Sequence, residues 1–192
     1  MFRPSPYEAL QVLPPEEREL SGKERLLLAS GPLLSWYRRE KRDLPWRENR
    51  DPYRIWISEI MLQQTRVEAV KPYFFRFFEH FPRISDLASA PEEELLKCWE
   101  GLGYYSRARN IKKAAEILTE KYNGSFPESY EEILALPGIG SYTAGAIASI
   151  AFELPVPAVA GHVLRVLARV NGGFDGSLKP SPTKKQAAQR SE

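Results

Sequence analysis

The segment LPGIGSYTAGAI, Leu136 to Ile147, constrains the fold more than any other part of the chain. A helix ends at its start, glycines at 138 and 140 allow a tight turn with unusual dihedrals, and a new helix begins at Ser141. Glycines also let a phosphate approach the backbone, where the free N–H groups of the following helix can bind it. Such a grip would hold nucleic acid without reading its sequence. An ordinary αα-hairpin, whose glycines only cap and turn, accounts for the same letters. The small residues Ala144, Gly145, Ala146 and Ala148 suit both readings, because they permit close helix packing. Neither this segment nor Gly101-Leu-Gly103 has the spacing of a dinucleotide-binding loop, and no P-loop pattern occurs.

Apolar residues recur at helical spacing along most of the remaining chain. They predict helices over about 54–63, 66–80, 91–98, 105–121, 129–135, 141–152 and 160–170. An earlier helix, about 23–41, rests on Leu26, Leu27, Leu33, Leu34 and Trp36, with a kink or restart at Pro32. Ser89, ahead of Ala90, Pro91 and three glutamates, is expected to cap the helix that follows. In YFFRFFEHF, the residues Phe74, Phe77, Phe78 and Phe81 continue the helical spacing of Val70 and are expected in the core. There is no alternating strand and no internal repeat, so the class is all-α. The boundaries divide the chain into a flexible extension (1–22), a first helix and loop (23–54), a helical domain containing the hairpin at 136–147 (55–170), and a loose or truncated tail (171–192).

Hydrophobic residues make up 43% and charged residues 27% of the 192, which suits a folded protein and excludes wholesale disorder. A net charge of +2 does not by itself indicate nucleic acid, so the distribution of charge carries the information. Tyr104 to Lys113 holds Arg107, Arg109, Lys112 and Lys113 with no acid, whereas Ser85 to Glu100 is acidic. A solvated surface pattern would look the same. Cys98 is the single cysteine, which excludes an internal disulfide and any multi-cysteine metal site made by this chain alone. With no signal-like segment and no apolar run long enough to span a membrane, the expected setting is the cytoplasm, at the nucleoid if the source is bacterial.

At LPGIGSYTA the chain resembles the helix-hairpin-helix DNA glycosylases, relatives of endonuclease III. WISEIMLQQTRVEAVKPYF and WEGLGYYSRARN are similar to the adenine-specific branch, and the resemblance runs from about Leu33 to Val170. It implies the helix-hairpin-helix glycosylase fold, incomplete here at the C-terminus. It also implies hydrolytic release of adenine mispaired with guanine or 8-oxoguanine, with the base flipped out of double-stranded DNA and the enzyme acting as a monomer.

By the same resemblance Glu59 is the general acid, a role helped by apolar neighbours such as Ile55, Ile60 and Met61. Tyr142 stands where related lyases carry a lysine. A phenol cannot form a Schiff base, so base excision without strand cleavage is implied. Arg42, Leu44, Trp46, Arg47 and Val67 match the adenine pocket, while Gln64 and Tyr104 match side chains that push into the DNA stack. Arg107, Gly138, Gly140, Ser141 and His162 complete the DNA-binding set. Read without the resemblance, Trp46 is a core residue, Gln64 a solvated one and Glu59 the surface acid of an amphipathic helix.

Two departures stand out. Ala160 replaces the aspartate that the resemblance leads one to expect, a carboxylate suited to stabilising the oxocarbenium-like sugar electrostatically or covalently. The [4Fe–4S] cluster implied by the family lacks its ligand cysteines in this chain. Impaired turnover is therefore expected. A silent module that binds DNA structure, or a mismatch thymine glycosylase, would account for the same sequence.

Overall fold

The computed structural model describes residues 22–170, and every regular element in that range is helical. We label them α1 (Gly22–Glu40), a 3₁₀ turn (Pro45–Arg47), α2 (Pro52–Met61), α3 (Val67–His80), α4 (Ile84–Ser89), α5 (Glu92–Trp99), α6 (Ser106–Tyr122), α7 (Tyr130–Leu134), α8 (Ser141–Ala151) and α9 (Gly161–Val170). The expected extension over 1–22, apart from Gly22 in α1, and the expected tail over 171–192 lie outside the described residues. The helices group into two units. One contains α1 and α9, and the other runs from Arg42 to Ala160.

In the smaller unit α1 continues unbroken through Pro32, so the expected restart does not occur, and it packs against α9. Both helices keep large apolar residues in solvent, among them Leu27, Leu33 and Leu34 of α1 and Leu164 and Leu167 of α9.

The larger unit is organised around α2. Its start is set locally: Pro52 supplies a helical φ at the first position, and the Asp51 carboxylate accepts the Tyr53 N–H at 2.9 Å. Past the first turn the helix is mostly apolar and buried on all sides: Ile55, Trp56, Ile57, Ile60 and Met61 are buried, and so are Ser58 and Glu59. A helix with no polar stripe has to sit in the middle of its domain. Trp56 meets Phe126 edge-on at 5.3 Å, α3 flanks α2, and α8 covers it with the small residues Ala144, Gly145, Ala146 and Ala148. A Cβ on Gly145 would run into the Pro157 carbonyl, so the chain after α8 lies directly against that helix.

Helix α3 supplies the aromatic layer expected of it. Val70, Phe74, Phe77 and Phe81 are buried and Phe78 is partly so. Tyr53 closes the contact between the two helices by donating its hydroxyl to the Phe81 carbonyl at 3.1 Å, and burial pushes its phenol far above the ordinary tyrosine range. Tyr53→Phe should destabilise the protein by about 1–2 kcal/mol, because the Phe81 carbonyl is left without its partner. Urea denaturation would measure the change.

Two elements differ from expectation. Helix α4 is not signalled by periodicity because it is only six residues long. It is fixed at its start by Arg83 and Asp86, whose side chains pair at 2.9 Å. Ser89 consequently does not cap α5. It ends α4 and donates its hydroxyl back to the Ser85 carbonyl at 2.9 Å, leaving Pro91 as the cap residue of α5. The three glutamates still occupy the first turn of α5, where the helix dipole favours them.

Candidate active site

Glu59 is the one acid in the buried interior of the larger unit, with 6% of its surface exposed. Its position follows from the apolar pattern of α2, which buries every side of the helix beyond its first turn. A carboxylate placed there needs a partner. Arg47, on the 3₁₀ turn, provides it through an Nη2 to Oε1 contact of 2.6 Å. The turn is itself anchored by Trp46, which is fully buried and meets Phe74 edge-on at 5.3 Å. Trp46 thus acts as the packing foot of the loop in this structure, with Leu44 and Val67 packed at the edge of the same core.

Tyr142 stands at the start of α8, 38% exposed and near enough to Glu59 for that charge to act on its phenol. Partial burial and then the Glu59 charge raise the phenol above its ordinary range, against a smaller opposing effect of Arg47. The phenol therefore keeps its proton at neutral pH. An acid, a guanidinium and a phenol from three separate elements thus converge, the first buried and the last open to solvent.

The hairpin uses its two glycines differently. Gly138 has φ of 75°, and a Cβ there would come within 2.6 Å of the Asn110 Cβ. Gly140 is extended, with φ −93° and ψ 173°, and a Cβ would meet nothing. The unusual dihedral expected of both glycines is needed only at 138. At 140 the absence of a side chain leaves open the N-terminus of α8, which no side chain caps. Ser141 is exposed there. Gly138→Ala should cost about 1–3 kcal/mol from backbone strain, with the Asn110 clash added. Gly140→Ala should leave thermal stability within about 0.5 kcal/mol of the parent. If phosphate comes up to this turn, the second variant should nevertheless bind duplex DNA more weakly; unchanged binding would rule out that approach.

Of the basic cluster between Tyr104 and Lys113, three cations are engaged within the protein. Arg109 pairs with Glu92 at 2.8 Å, and Lys112 donates to the Ala88 and Ala90 carbonyls at 2.9 and 2.6 Å. Arg107 turns inward onto main-chain carbonyls. Lys113 is exposed. Gln64 and Tyr104 are exposed as well, and both have left-handed backbone, with φ of 61° and 49°. Sequence patterns do not reveal that feature, since neither residue is glycine or asparagine.

Two further candidates stand at the ends of the larger unit and one in the smaller. Arg42 is exposed at the start of the larger unit, and Ala160 is half-buried at its end, offering only a methyl group. His162 is exposed on α9, in the smaller unit. No grouping of His, Cys, Asp or Glu among the described residues could hold a metal, and Cys98 is buried in α5. With one cysteine in 192 residues, the chain does not fit a four-cysteine cluster. No helix among the described residues is long and apolar enough to cross a membrane.

Comparison with known proteins identifies the family. An adenine DNA glycosylase of Buchnera aphidicola subsp. Baizongia pistaciae is 51% identical over 138 residues, covering 71% of this chain and 39% of the relative. The chain thus spans about two-fifths of that relative's length. Among solved structures, a thermostable thymine-DNA glycosylase superposes with a TM-score of 0.70 at 34% identity, over 76% of this chain and 67% of the other. An endonuclease III trapped as a covalent intermediate with DNA gives a TM-score of 0.66 at 26% identity, over 83% and 79% of the two chains. The model of the HhH-GPD superfamily of base excision DNA repair proteins matches residues 57–192. A buried acid on an apolar helix, met by the first turn of a glycine hairpin helix, is therefore found in a chain that belongs to the HhH-GPD superfamily of base excision DNA repair proteins.

Proposed function

We propose that this chain carries the base-excising core of an adenine DNA glycosylase, acting on adenine opposite guanine or 8-oxoguanine in double-stranded DNA. The observation that carries the reading is the convergence of Glu59 and Tyr142, a buried carboxylate against a partly exposed phenol. A flipped adenine needs a proton to become a leaving group, and Glu59 is the group placed to take one from solvent and pass it to the base. Tyr142, whose phenol lies within reach of the Glu59 charge, provides no amine. Release therefore proceeds by hydrolysis, without a Schiff base and without strand cleavage by that route.

In the free protein Arg47 occupies one oxygen of Glu59. An entering adenine has to share or displace that guanidinium, which places Arg47 at the pocket together with Leu44 and Val67, while Trp46 holds the turn from behind. Gly138, Gly140 and the start of α8 hold the phosphate backbone. Gln64 and Tyr104 fill the space the base leaves.

Single-turnover incubation with duplexes containing A·G, A·8-oxoguanine and T·G, with released bases separated and quantified, tests the assignment. Adenine release is expected from the first two. Thymine release from T·G would favour instead the activity for which the thymine-DNA glycosylase relative is named. Salt-sensitive binding without release of either base would identify a DNA-binding module.

A further inference from the structure

The two exposed side chains assigned above to the DNA stack, Gln64 and Tyr104, belong to turns 40 residues apart in sequence, one after α2 and one before α6. Each has left-handed backbone that a non-glycine residue adopts only when its surroundings hold it there. The same guanidinium touches both turns. Nη1 of Arg107 donates to the Ile60 and Gln63 carbonyls at 2.6 and 2.8 Å, and Nη2 donates to the Leu102 and Gly103 carbonyls at 3.1 and 3.3 Å. The head lies over the Trp99 ring at 5.7 Å and the Tyr104 ring at 5.4 Å, and the Trp99 indole donates to the Gly103 carbonyl at 3.2 Å.

Each turn thus lends a pair of carbonyls to one nitrogen of a planar fork, and a lysine ammonium could not span both pairs. We propose that Arg107 is a positioning residue that locks the Gln64 and Tyr104 turns into one unit, so that both side chains enter the DNA stack together. The proposal rests on the reading of these two side chains as DNA wedges. Desolvation, which lowers the guanidinium's proton affinity, is consistent with a group turned to the interior and not to phosphate. A small cavity of about 130 Å³ beside it, bounded by Ile60, Gln63, Asn110 and Gly138, leaves the Gln64 turn less supported by filled packing on that side.

Amide exchange on the free protein separates this role from a purely local one. In Arg107→Lys, and in Arg107→Ala where it folds, the Gln63, Thr65 and Leu102 amides should lose protection together by about tenfold or more, with the α8 core amides unchanged. Loosening of only one turn, or of neither, overturns the coupling. A duplex with 2-aminopurine beside the A·G mismatch then reports unstacking on binding. Gln64→Ala and Tyr104→Ala should each reduce the fluorescence rise, and Arg107→Lys should reduce it in the parent but add nothing to the double variant. An equal further loss in that background, or a salt dependence of binding shallower by about one charge in Arg107→Ala, would mean direct phosphate contact and sink the proposal. If Gln64→Ala and Tyr104→Ala leave the signal intact while the exchange result holds, the wedge reading fails and the coupling of the turns stands.

Discussion

Ala160→Asp should raise the single-turnover rate of adenine release by about 10²-fold or more, the scale on which one preorganised electrostatic group acts. The sugar becomes cationic as the bond to adenine breaks, and a carboxylate near it stabilises that charge or captures it. A methyl group does neither. The rate should be measured with enzyme in excess over an A·G duplex, so that product release does not hide the chemical step. Binding of the intact duplex should change little, since the gain belongs to the transition state. An unchanged rate would show that position 160 does not serve the reacting sugar.

Glu59→Gln, made in that faster background, should reduce adenine release by about 10²–10⁴-fold, the usual contribution of a positioned general acid. Glutamine keeps the volume and can still accept from Arg47 through its amide oxygen. It has no acidic proton to give. A melting temperature close to the parent's, alongside the lost rate, would separate chemistry from folding. Retained release would move the acid elsewhere and remove the central argument for the assigned activity.

The sequence was most legible where local rules and packing agree. The hairpin, the long helices and the aromatic face of α3 follow from periodicity and turn chemistry, and their bounds agree with the structure to within a few residues. What escaped was set by particular contacts. Helix α4 is too short to show a period, and its start depends on an Arg83–Asp86 pair. Ser89 resembled a cap because its neighbours suited one, but its hydroxyl was already committed to the turn behind it.

At the candidate site, Glu59 read alone suggested a surface acid, because a single residue does not declare which face of α2 is covered. The resemblance named the residue, and the burial of all sides of that helix gives the physical reason it is unusual. Trp46 shows the reverse: packing made it a core residue, and the structure buries it completely. The inward turn of Arg107 could not be read from a basic stretch, since a guanidinium on carbonyls and one on phosphates have the same spelling.

The all-round burial of α2 carries a consequence for how function can be lost. Beyond its first turn the helix has no solvent-facing stripe to hold it when neighbouring helices loosen, so no partly open state keeps Glu59 in place while the rest frays. Thermal inactivation of chemistry should therefore coincide with cooperative melting of the larger unit. The hairpin lies nearer the surface, and DNA grip can weaken there, through Gly140 for example, in a molecule whose acid is still correctly held.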